Sequence, residues 1–122
     1  MVAEGLVLPD RQIEIKVTGE AGSVRADLAT PLAVTLTELL QNAIDHAFPH
    51  GAGGTIAVEV GRDGHEIVMI VRDDGAGIPG GALKGARLGL QIVRSLIEEM
   101  SGTFEITSEG GTRIEVRVPV KP

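Results

Sequence analysis

The chain has 122 residues, a length that suits one compact domain with a single hydrophobic core rather than two domains. It contains no cysteine, which excludes disulfides, thiolate zinc sites and cysteine nucleophiles, and no apolar run approaches the roughly 20 residues that a membrane-spanning helix needs, so we expect a cytoplasmic domain. The net charge of -6, with Phe48 and Phe104 as the only aromatic residues that could stack on bases, argues against nucleic-acid binding as the main function.

The first elements predicted along the chain are a strand and a long helix. Residues 11–18 alternate apolar and polar side chains with the period that is typical of a strand with one buried face. Thr30 and Pro31 then predict a helix start, with Thr30 as the cap and Pro31 at the first helical position. Apolar residues continue at helical spacing, so we expect this helix to run to about Phe48, where Pro49 and the following glycines end it.

A hairpin is predicted in the middle of the chain. Residues 55–60 alternate like the first strand, and residues 65–73 contain a continuous run of apolar side chains. A turn at Asp63-Gly64 would join the two segments. The continuous run indicates that the second segment is a central strand.

The last part of the chain predicts one helix and two strands. A glycine-rich loop, residues 74–87, precedes an amphipathic helix over residues 88–100, which Gly102 ends. Residues 103–107 and 112–118 follow as the last two strands, and the second of them alternates apolar and charged side chains.

These elements predict an α/β (α+β) fold, a two-layer α/β sandwich with one mixed, mainly antiparallel sheet covered by helices on one face. Several strands are polar on one face and the helices are amphipathic, so one layer of helices is enough to bury the apolar surface. We expect a single domain over residues 1–122, with ragged first residues and an ordered core over roughly residues 10–120.

Four polar residues cluster on one face of the first helix. Asn42 lies between Glu38 and His46 at helical spacing, and Asp45 is close to it. An Asn side-chain oxygen suits Mg²⁺, which keeps several waters and takes only one or two protein ligands besides phosphates. Glu38 could hold a magnesium-bound water or act as a base. An ordinary solvated helix face explains this segment equally well when it is taken alone.

The predicted central strand ends in the segment DDGAGI, residues 73–78. A carboxylate such as that of Asp73 can accept a hydrogen bond from the exocyclic amine of adenine and would repel the carbonyl that guanine has there. Gly75 and Gly77 would let the backbone approach the base, and Ile78 would supply an apolar wall. The alternative is a tight turn, which Asp-Gly also indicates.

The glycine-rich loop runs directly into the second helix as GARLGL, residues 85–90. Backbone N–H groups at a helix N-terminus are natural phosphate ligands, and glycine removes side chains that would block the approach. No Gly-Lys-Ser/Thr follows, so this is not a Walker loop. Gly110, Gly111 and Thr112 open the last strand and by themselves indicate only a hairpin.

The order of these four segments resembles the N, G1, G2 and G3 boxes of the GHKL (Bergerat-fold) ATPase superfamily, which includes histidine kinases, DNA gyrase, Hsp90 and MutL. The resemblance extends over nearly the whole chain from about Arg11. Within the superfamily, TELLQNA at residues 37–43 and LGLQIVR at residues 88–94 are most similar to sensor histidine kinases of the HisKA_2-type subfamily, which includes actinobacterial, antiterminator-coupled two-component kinases.

The resemblance implies ATP and Mg²⁺ as cofactors and implies a role for each matching position. Asn42 would be the magnesium ligand, with Glu38 beside it as the second catalytic residue and in contact with the metal through water. Asp73 would recognise adenine close to Thr112. The full set of residues implied to contact the nucleotide is Asn42, Asp45, His46, Asp73, Gly75, Gly77, Ile78, Lys84, Gly85, Arg87, Leu88, Gly89, Leu90 and Thr112.

Three features depart from the family pattern, two single positions and one loop. Asp45 lies where the family often has a basic residue that meets phosphate, and Arg87 lies where the middle glycine of the G2 box is common. We hypothesise that Arg87, together with Lys84, supplies the missing positive charge, since guanidinium matches phosphate oxygens well. Residues 80–86 form a lid much shorter than the Phe-containing lid of many histidine kinases, so we expect weak nucleotide binding.

The implied function is that of the ATP-binding catalytic domain of a two-component sensor histidine kinase. The γ-phosphoryl group would pass to a histidine on a dimerisation domain absent from this chain, with a response regulator downstream. We expect the chain to bind ATP as a monomer without phosphorylating itself, and to contact neither nucleic acid nor the membrane directly. The alternatives are a stand-alone anti-sigma-factor serine kinase, and a GHKL ATPase or nucleotide-gated interaction module.

Overall fold

The computed structural model describes residues 4–8, 13–20, 22–44, 54–74, 88–108 and 110–120, which form six strands and two helices. In chain order the elements are β1 (Glu4–Leu8), β2 (Ile13–Gly19), α1 (Ala26–Asn42), β3 (Gly54–Asp63), β4 (Glu66–Asp73), α2 (Leu88–Glu99), β5 (Thr103–Ser108) and β6 (Thr112–Pro119). Within this described part, neither helix has the length and apolar character needed to cross a bilayer.

The six strands form one mixed sheet in the order β1-β2-β3-β4-β6-β5. Strands β2 and β3 pair in parallel, and all other neighbouring strands pair antiparallel. Parallel neighbours cannot be joined by a tight turn, so the chain between β2 and β3 passes through α1. The predicted two-layer α/β sandwich with a mainly antiparallel sheet is confirmed.

One hydrophobic core lies between the sheet and the helices. Strand β6 shows how the sequence forms it, because its buried and half-buried residues alternate along the whole strand. The helices contribute apolar stripes that face the sheet. The most deeply buried side chains are Ile13, Thr35, Leu39, Ile56, Val58, Val93, Ile97, Val116 and Val118.

Helix α1 begins at Ala26, so the predicted start at Thr30 and Pro31 is wrong. Arg25 has extended backbone, and its carbonyl oxygen accepts a hydrogen bond of 3.0 Å from the N–H of Leu28. The additional turn buries Leu28 to 7% exposure, which favours an earlier start. Pro31 lies inside the helix close to its amino end, where its missing N–H removes one helical hydrogen bond.

Helix α2 ends in a Schellman motif, in which Ser101 takes the left-handed conformation with φ 59°. The N–H of Gly102 donates to the carbonyl oxygen of Ile97 at 2.8 Å, which satisfies one of the last free carbonyls of the helix. A Cβ at Gly102 would lie 2.5 Å from the carbonyl oxygen of Arg117 and 2.9 Å from Cγ2 of Val118. Gly102 is therefore required because the chain passes close to β6.

Other boundaries differ in smaller ways from the sequence predictions. Strand β1 lies before the expected ordered core and pairs with β2 at the edge of the sheet. The predicted hairpin is confirmed, but its two connecting residues are Gly64, at φ 63°, and His65, because the predicted turn residue Asp63 still pairs with Glu66. Helix α1 ends at Asn42 with Ala43 still helical as its cap, and residues 45–48 of the helix predicted to run to Phe48 lie outside the described residues.

The face of the sheet opposite the helices carries charged side chains that pair with one another. Arg117 is bonded to Glu115 at 2.6 Å, to Asp63 at 2.9 Å and to Glu66 at 3.2 Å. Arg113 also reaches Glu115, at 2.8 Å. The hydrogen bond from Arg117, followed by that from Arg113, lowers the pKa of the Glu115 carboxyl below its ordinary value of 4.5.

Candidate nucleotide-binding site

The direction of α1 brings its carboxyl end to one edge of the sheet. Leu32 and Leu36, in the middle of the helix, line an apolar groove of about 220 Å³. The sheet side of this groove includes Val60 and Ile67, which lie near the β3–β4 turn. Because α1 leads back from β2 to the start of the parallel strand β3, Asn42 lies toward the opposite edge. We call this edge, where β3 and β6 begin and β4 ends, the site edge.

The direction of α2 brings its amino end to the same edge. Gly102, just after the helix, lies against Arg117 and Val118 near the end of β6, which is the edge away from the site edge. The helix therefore begins toward the site edge, at Leu88–Leu90. The N–H groups of a first helical turn have no partners within the helix and carry the positive end of its dipole. They are suited to hold phosphate oxygens.

Asp73 and Thr112 lie side by side at the site edge. They are partners in the antiparallel pairing of β4 with β6, and the N–H of Thr112 donates to Oδ1 of Asp73 at 3.3 Å. Gly111 has φ 129°, and a Cβ there would overlap the carbonyl oxygen of Asp73. Only glycine allows this approach, so the glycine before Thr112 fixes how closely β6 lies against Asp73.

Asp74 holds the end of β4 from the other side. Its N–H donates to the carbonyl oxygen of Thr55 at 3.3 Å, and its Oδ1 accepts from the N–H of Thr55 at 2.8 Å. Asp73 therefore lies between β3, which is bonded to the next residue, Asp74, and β6, which is bonded to the carboxylate of Asp73 itself. In the sequence, Asp74 and Gly75 also indicate a turn, and nothing there predicts the bond of Asp74 to Thr55 or the close approach of Gly111 to Asp73. Their position in the register gives the signal, which the residue types alone do not.

Two buried side-chain polar atoms in the described part of the chain have no hydrogen-bond partner, and they belong to Asn42 and Thr112. They are Nδ2 of Asn42 and Oγ1 of Thr112, and Thr112 is only 6% exposed. Leaving such an atom unpaired costs roughly 1–3 kcal/mol, so native proteins keep few of them without a functional reason. Both residues belong to the nucleotide contacts predicted from the sequence. A bound nucleotide would explain why these two atoms have no partner in the described part of the chain.

The environment of Asn42 also fits a magnesium ion. Glu38 lies one turn earlier on the same half-buried face of α1, so an amide and a carboxylate are adjacent. The amide of Asn42 carries a hard oxygen acceptor beside its donor nitrogen. One or two such ligands, completed by phosphates and water, match what Mg²⁺ usually takes from a protein.

Eight of the predicted nucleotide contacts belong to segments that the structure does not describe. The positions that fall outside the described residues are Asp45, His46, Gly75, Gly77, Ile78, Lys84, Gly85 and Arg87. The hypothesis that Arg87 and Lys84 supply the positive charge therefore stays a prediction. Of the residues that are described, the structure brings Asn42, Asp73, Thr112 and the start of α2 to the site edge.

Comparison with known proteins identifies close relatives among sensor kinases. The sensor histidine kinase PdtaS of Mycobacterium tuberculosis is 42% identical over 117 residues, which are 91% of this chain and 23% of that protein. Sporulation kinase B of Bacillus subtilis is 33% identical over 105 residues, which are 75% of this chain and 24% of that kinase. This chain thus spans about a quarter of the length of these relatives.

A solved structure has the same fold. The blue-light-activated histidine kinase EL346 of Erythrobacter litoralis superposes with a TM-score of 0.82 at 28% identity, covering 88% of this chain and 35% of that one. The family model described as "Histidine kinase-, DNA gyrase B-, and HSP90-like ATPase" matches residues 27–122. The resemblance to the GHKL superfamily and to sensor histidine kinases is confirmed. This chain belongs to the family of histidine kinase-, DNA gyrase B- and HSP90-like ATPases.

Proposed function

We propose that this chain is the ATP-binding catalytic domain of a sensor histidine kinase, which passes the γ-phosphoryl group of ATP to a histidine on a dimerisation domain. The observation that carries the proposal is the pair of buried, unpartnered polar atoms on Asn42 and Thr112. Both lie toward the edge where β4 ends and α2 begins. A nucleotide bound there would supply the partners that the described part of the chain does not.

Adenine recognition is proposed for Asp73 and Thr112. The carboxylate of Asp73 accepts a hydrogen bond from the exocyclic amine of adenine, while its Oδ1 is oriented by the N–H of Thr112. The buried hydroxyl of Thr112 bonds to the base or to a water between base and protein. Guanine has a carbonyl at the position of the amine, so the same carboxylate would repel it.

Phosphate and metal binding are proposed for α1 and α2. Asn42 would hold Mg²⁺ through its side-chain oxygen, and Glu38 would contact the hydration shell of the ion. When bound, the ion neutralises charge on the transferring phosphoryl group. The first turn of α2 orients the phosphate chain through its backbone N–H groups. These residues bind and orient, which is most of what phosphoryl transfer needs from a protein.

The acceptor and the partners follow from the proposed reaction. The relatives are named sensor histidine kinases or kinases, and this favours a histidine acceptor over the serine acceptor of an anti-sigma kinase. A response regulator would receive the phosphoryl group from that histidine. Because the donor is ATP, we propose a cytoplasmic location, and we propose that the domain by itself is a monomer.

Calorimetric titration with ATP and GTP, with and without Mg²⁺, tests this proposal. We expect ATP to bind, Mg²⁺ to strengthen the binding, and GTP to bind more weakly. Asp73→Asn should weaken ATP binding about tenfold or more, because the amide cannot repeat the contacts of the carboxylate. Asp63→Asn, at the other end of the β3–β4 hairpin, makes the same charge change and should leave the affinity unchanged.

The whole protein gives the second part of this test. Incubated with labelled ATP, it should acquire an acid-labile phosphate, which is typical of phosphohistidine, and Asp73→Asn should reduce the yield. Acid-stable phosphate would identify a hydroxyl acceptor and contradict the histidine assignment. No binding of ATP by the chain would contradict the nucleotide site as well.

A further inference from the structure

The carboxylate of Asp74 replaces a backbone carbonyl at the point where β4 leaves the sheet. In an antiparallel pair, two opposite residues often exchange both of their N–H···O=C hydrogen bonds. Thr55 and Asp74 make one of these bonds in the ordinary way, from the N–H of Asp74 to the carbonyl oxygen of Thr55 at 3.3 Å. The other bond runs from the N–H of Thr55 to the side-chain Oδ1 of Asp74 at 2.8 Å.

Because a side-chain oxygen takes the place of the backbone carbonyl, the backbone can change direction here while the strand stays paired. The last regular pair between the two strands is Ile56 with Asp73. Because the side chain of Asp74 takes the bond from Thr55, the main-chain carbonyl of Asp74 is not needed for pairing, and the chain can turn away after this residue. The end of β4 stays attached to β3 although the strand has ended.

The attachment bears directly on Asp73, which precedes Asp74. On the β6 side, Oδ1 of Asp73 accepts from the N–H of Thr112 at 3.3 Å, and Gly111 lies against the Asp73 carbonyl. On the β3 side, the next residue is bonded twice to Thr55. If the bond to the Asp74 carboxylate were lost, only one of these two sides would keep all of its hydrogen bonds.

We propose that Asp74 is a positioning residue, which sets the orientation of the Asp73 carboxylate toward the exocyclic amine of the purine. This inference rests on the proposed function and adds to it a determinant of base selectivity. Asp74 itself is exposed and acts through the backbone of Thr55, so it does not have to touch the nucleotide. Its contribution should be visible in the preference for the amine rather than in the fold.

The test compares ATP with purine riboside triphosphate, which has hydrogen in place of the exocyclic amine. The ratio of the two dissociation constants measures the contribution of the amine. It does not change if a fraction of the molecules is unfolded, because both apparent affinities then fall equally. We expect Asp74→Ala to reduce this ratio about five- to tenfold, a change typical of a lost or misaligned hydrogen bond. Asp74→Asn keeps an oxygen acceptor at the same reach and should stay within about twofold of the wild type.

Two controls complete the design. Asp63→Ala removes an exposed carboxylate at the other end of the same hairpin and should leave the ratio unchanged. Asp74→Leu keeps a side chain of similar size without an acceptor and should behave like Asp74→Ala. If both of these Asp74 variants fail to fold, the side chain is needed for the fold itself and the proposal is overturned.

The failure of this inference can be distinguished from the failure of the proposed function. A wild-type chain that binds neither nucleotide contradicts the proposed function. A wild-type chain that prefers ATP, with the same preference in Asp74→Ala, overturns only the positioning role. A loss of preference in Asp74→Asn equal to that in Asp74→Ala also overturns it, because the acceptor would then not be the cause.

Discussion

The buried hydroxyl of Thr112 is the side-chain feature by which the site edge differs most clearly from the packed core. It is buried in the first residue of β6 and has no hydrogen-bond partner among the residues that the structure describes. An unsatisfied buried hydroxyl lowers the stability of the folded state. A site that is complete only when its ligand is bound has this property, because the ligand supplies the missing partner.

The substitution Thr112→Val separates stability from binding. Valine has nearly the same shape and suits a strand, so we expect the free energy of unfolding to stay level or to rise by about 0.5–1 kcal/mol. ATP affinity should fall about fivefold, because the hydroxyl can no longer bond to the nucleotide or its water. Urea denaturation and calorimetric titration measure the two effects.

A matched variant lies on the neighbouring strand. Thr107 is exposed on β5 and pairs with Arg113 of β6, so Thr107→Val makes the same chemical change away from the site. It should change neither the stability by more than about 0.5 kcal/mol nor the affinity. A Thr112→Val chain that loses stability and keeps its affinity for ATP would show that the hydroxyl has a structural role instead.

Some site residues could be selected from the sequence and others could not. Asp73 and Thr112 can be selected because their segments match family motifs, although they lie 39 residues apart. For Asp74 the sequence indicates only a turn, because its acceptor function depends on Thr55, which is brought opposite it only by the pairing of β3 with β4. Periodicity predicts a strand, but it does not show which residue lies opposite another at the end of that strand.

At the scale of elements, the amino end of α1 shows a limit of local signals. Thr-Pro is a strong start signal, yet the helix begins more than one turn earlier, at Ala26, and includes Pro31. The gain from burying Leu28 against the core is a tertiary effect that the local sequence does not contain. The end of α2 was predicted more closely, because the requirement for Gly102 next to β6 coincides with a standard helix-ending motif.

Ion pairs on the face of the sheet opposite the helices make the stability of the fold depend on pH in the acidic range. Glu115 accepts hydrogen bonds from Arg117 and Arg113, which lower its pKa from 4.5. A group with a lowered pKa in the folded state stabilises the protein above the pKa of the unfolded chain. This contribution is lost as the pH falls below about 4.5 and through the folded-state pKa.

The substitution Glu115→Gln tests this dependence. At pH 7 the variant should be less stable than the wild type, and the difference should shrink as the pH falls below about 4.5 and through the lowered folded-state pKa, where the carboxyl of the wild type becomes protonated. Urea denaturation at several pH values measures the difference. Glu98→Gln on the exposed side of α2 provides the control, since Glu98 has no ion pair within the described part of the chain. A difference that is constant with pH would contradict the assignment.

At the scale of the whole molecule, the topology explains how four distant segments can serve one ligand. The crossover through α1 returns the chain to the start of β3, and α2 begins where β4 ends. Strands β3, β4 and β6 are neighbours, so their ends meet at the same edge. Segments that are distant in the sequence therefore come together at this edge of the sheet.

The overall architecture could be predicted from the sequence more completely than its edges. Alternating and amphipathic patterns gave the helices and five of the six strands, because these patterns reflect which face is buried. Strand β1 was not predicted, since its short segment EGLVL contains too few residues to show a period. The parallel pairing of β2 with β3 depends on the path of the whole chain and has no local signal.

We propose that Asn42, Asp73, Thr112 and the start of α2 contact one purine nucleotide. Amide NMR spectra of the chain, titrated with a non-hydrolysable ATP analogue and Mg²⁺, test it most directly. We predict that the signals of Asn42, Asp73, Thr112 and Leu88–Leu90 shift together with one dissociation constant, while those of Gly64 and His65 at the opposite edge stay in place. Shifts confined to the β3–β4 turn, or no shifts at saturating analogue, would contradict it.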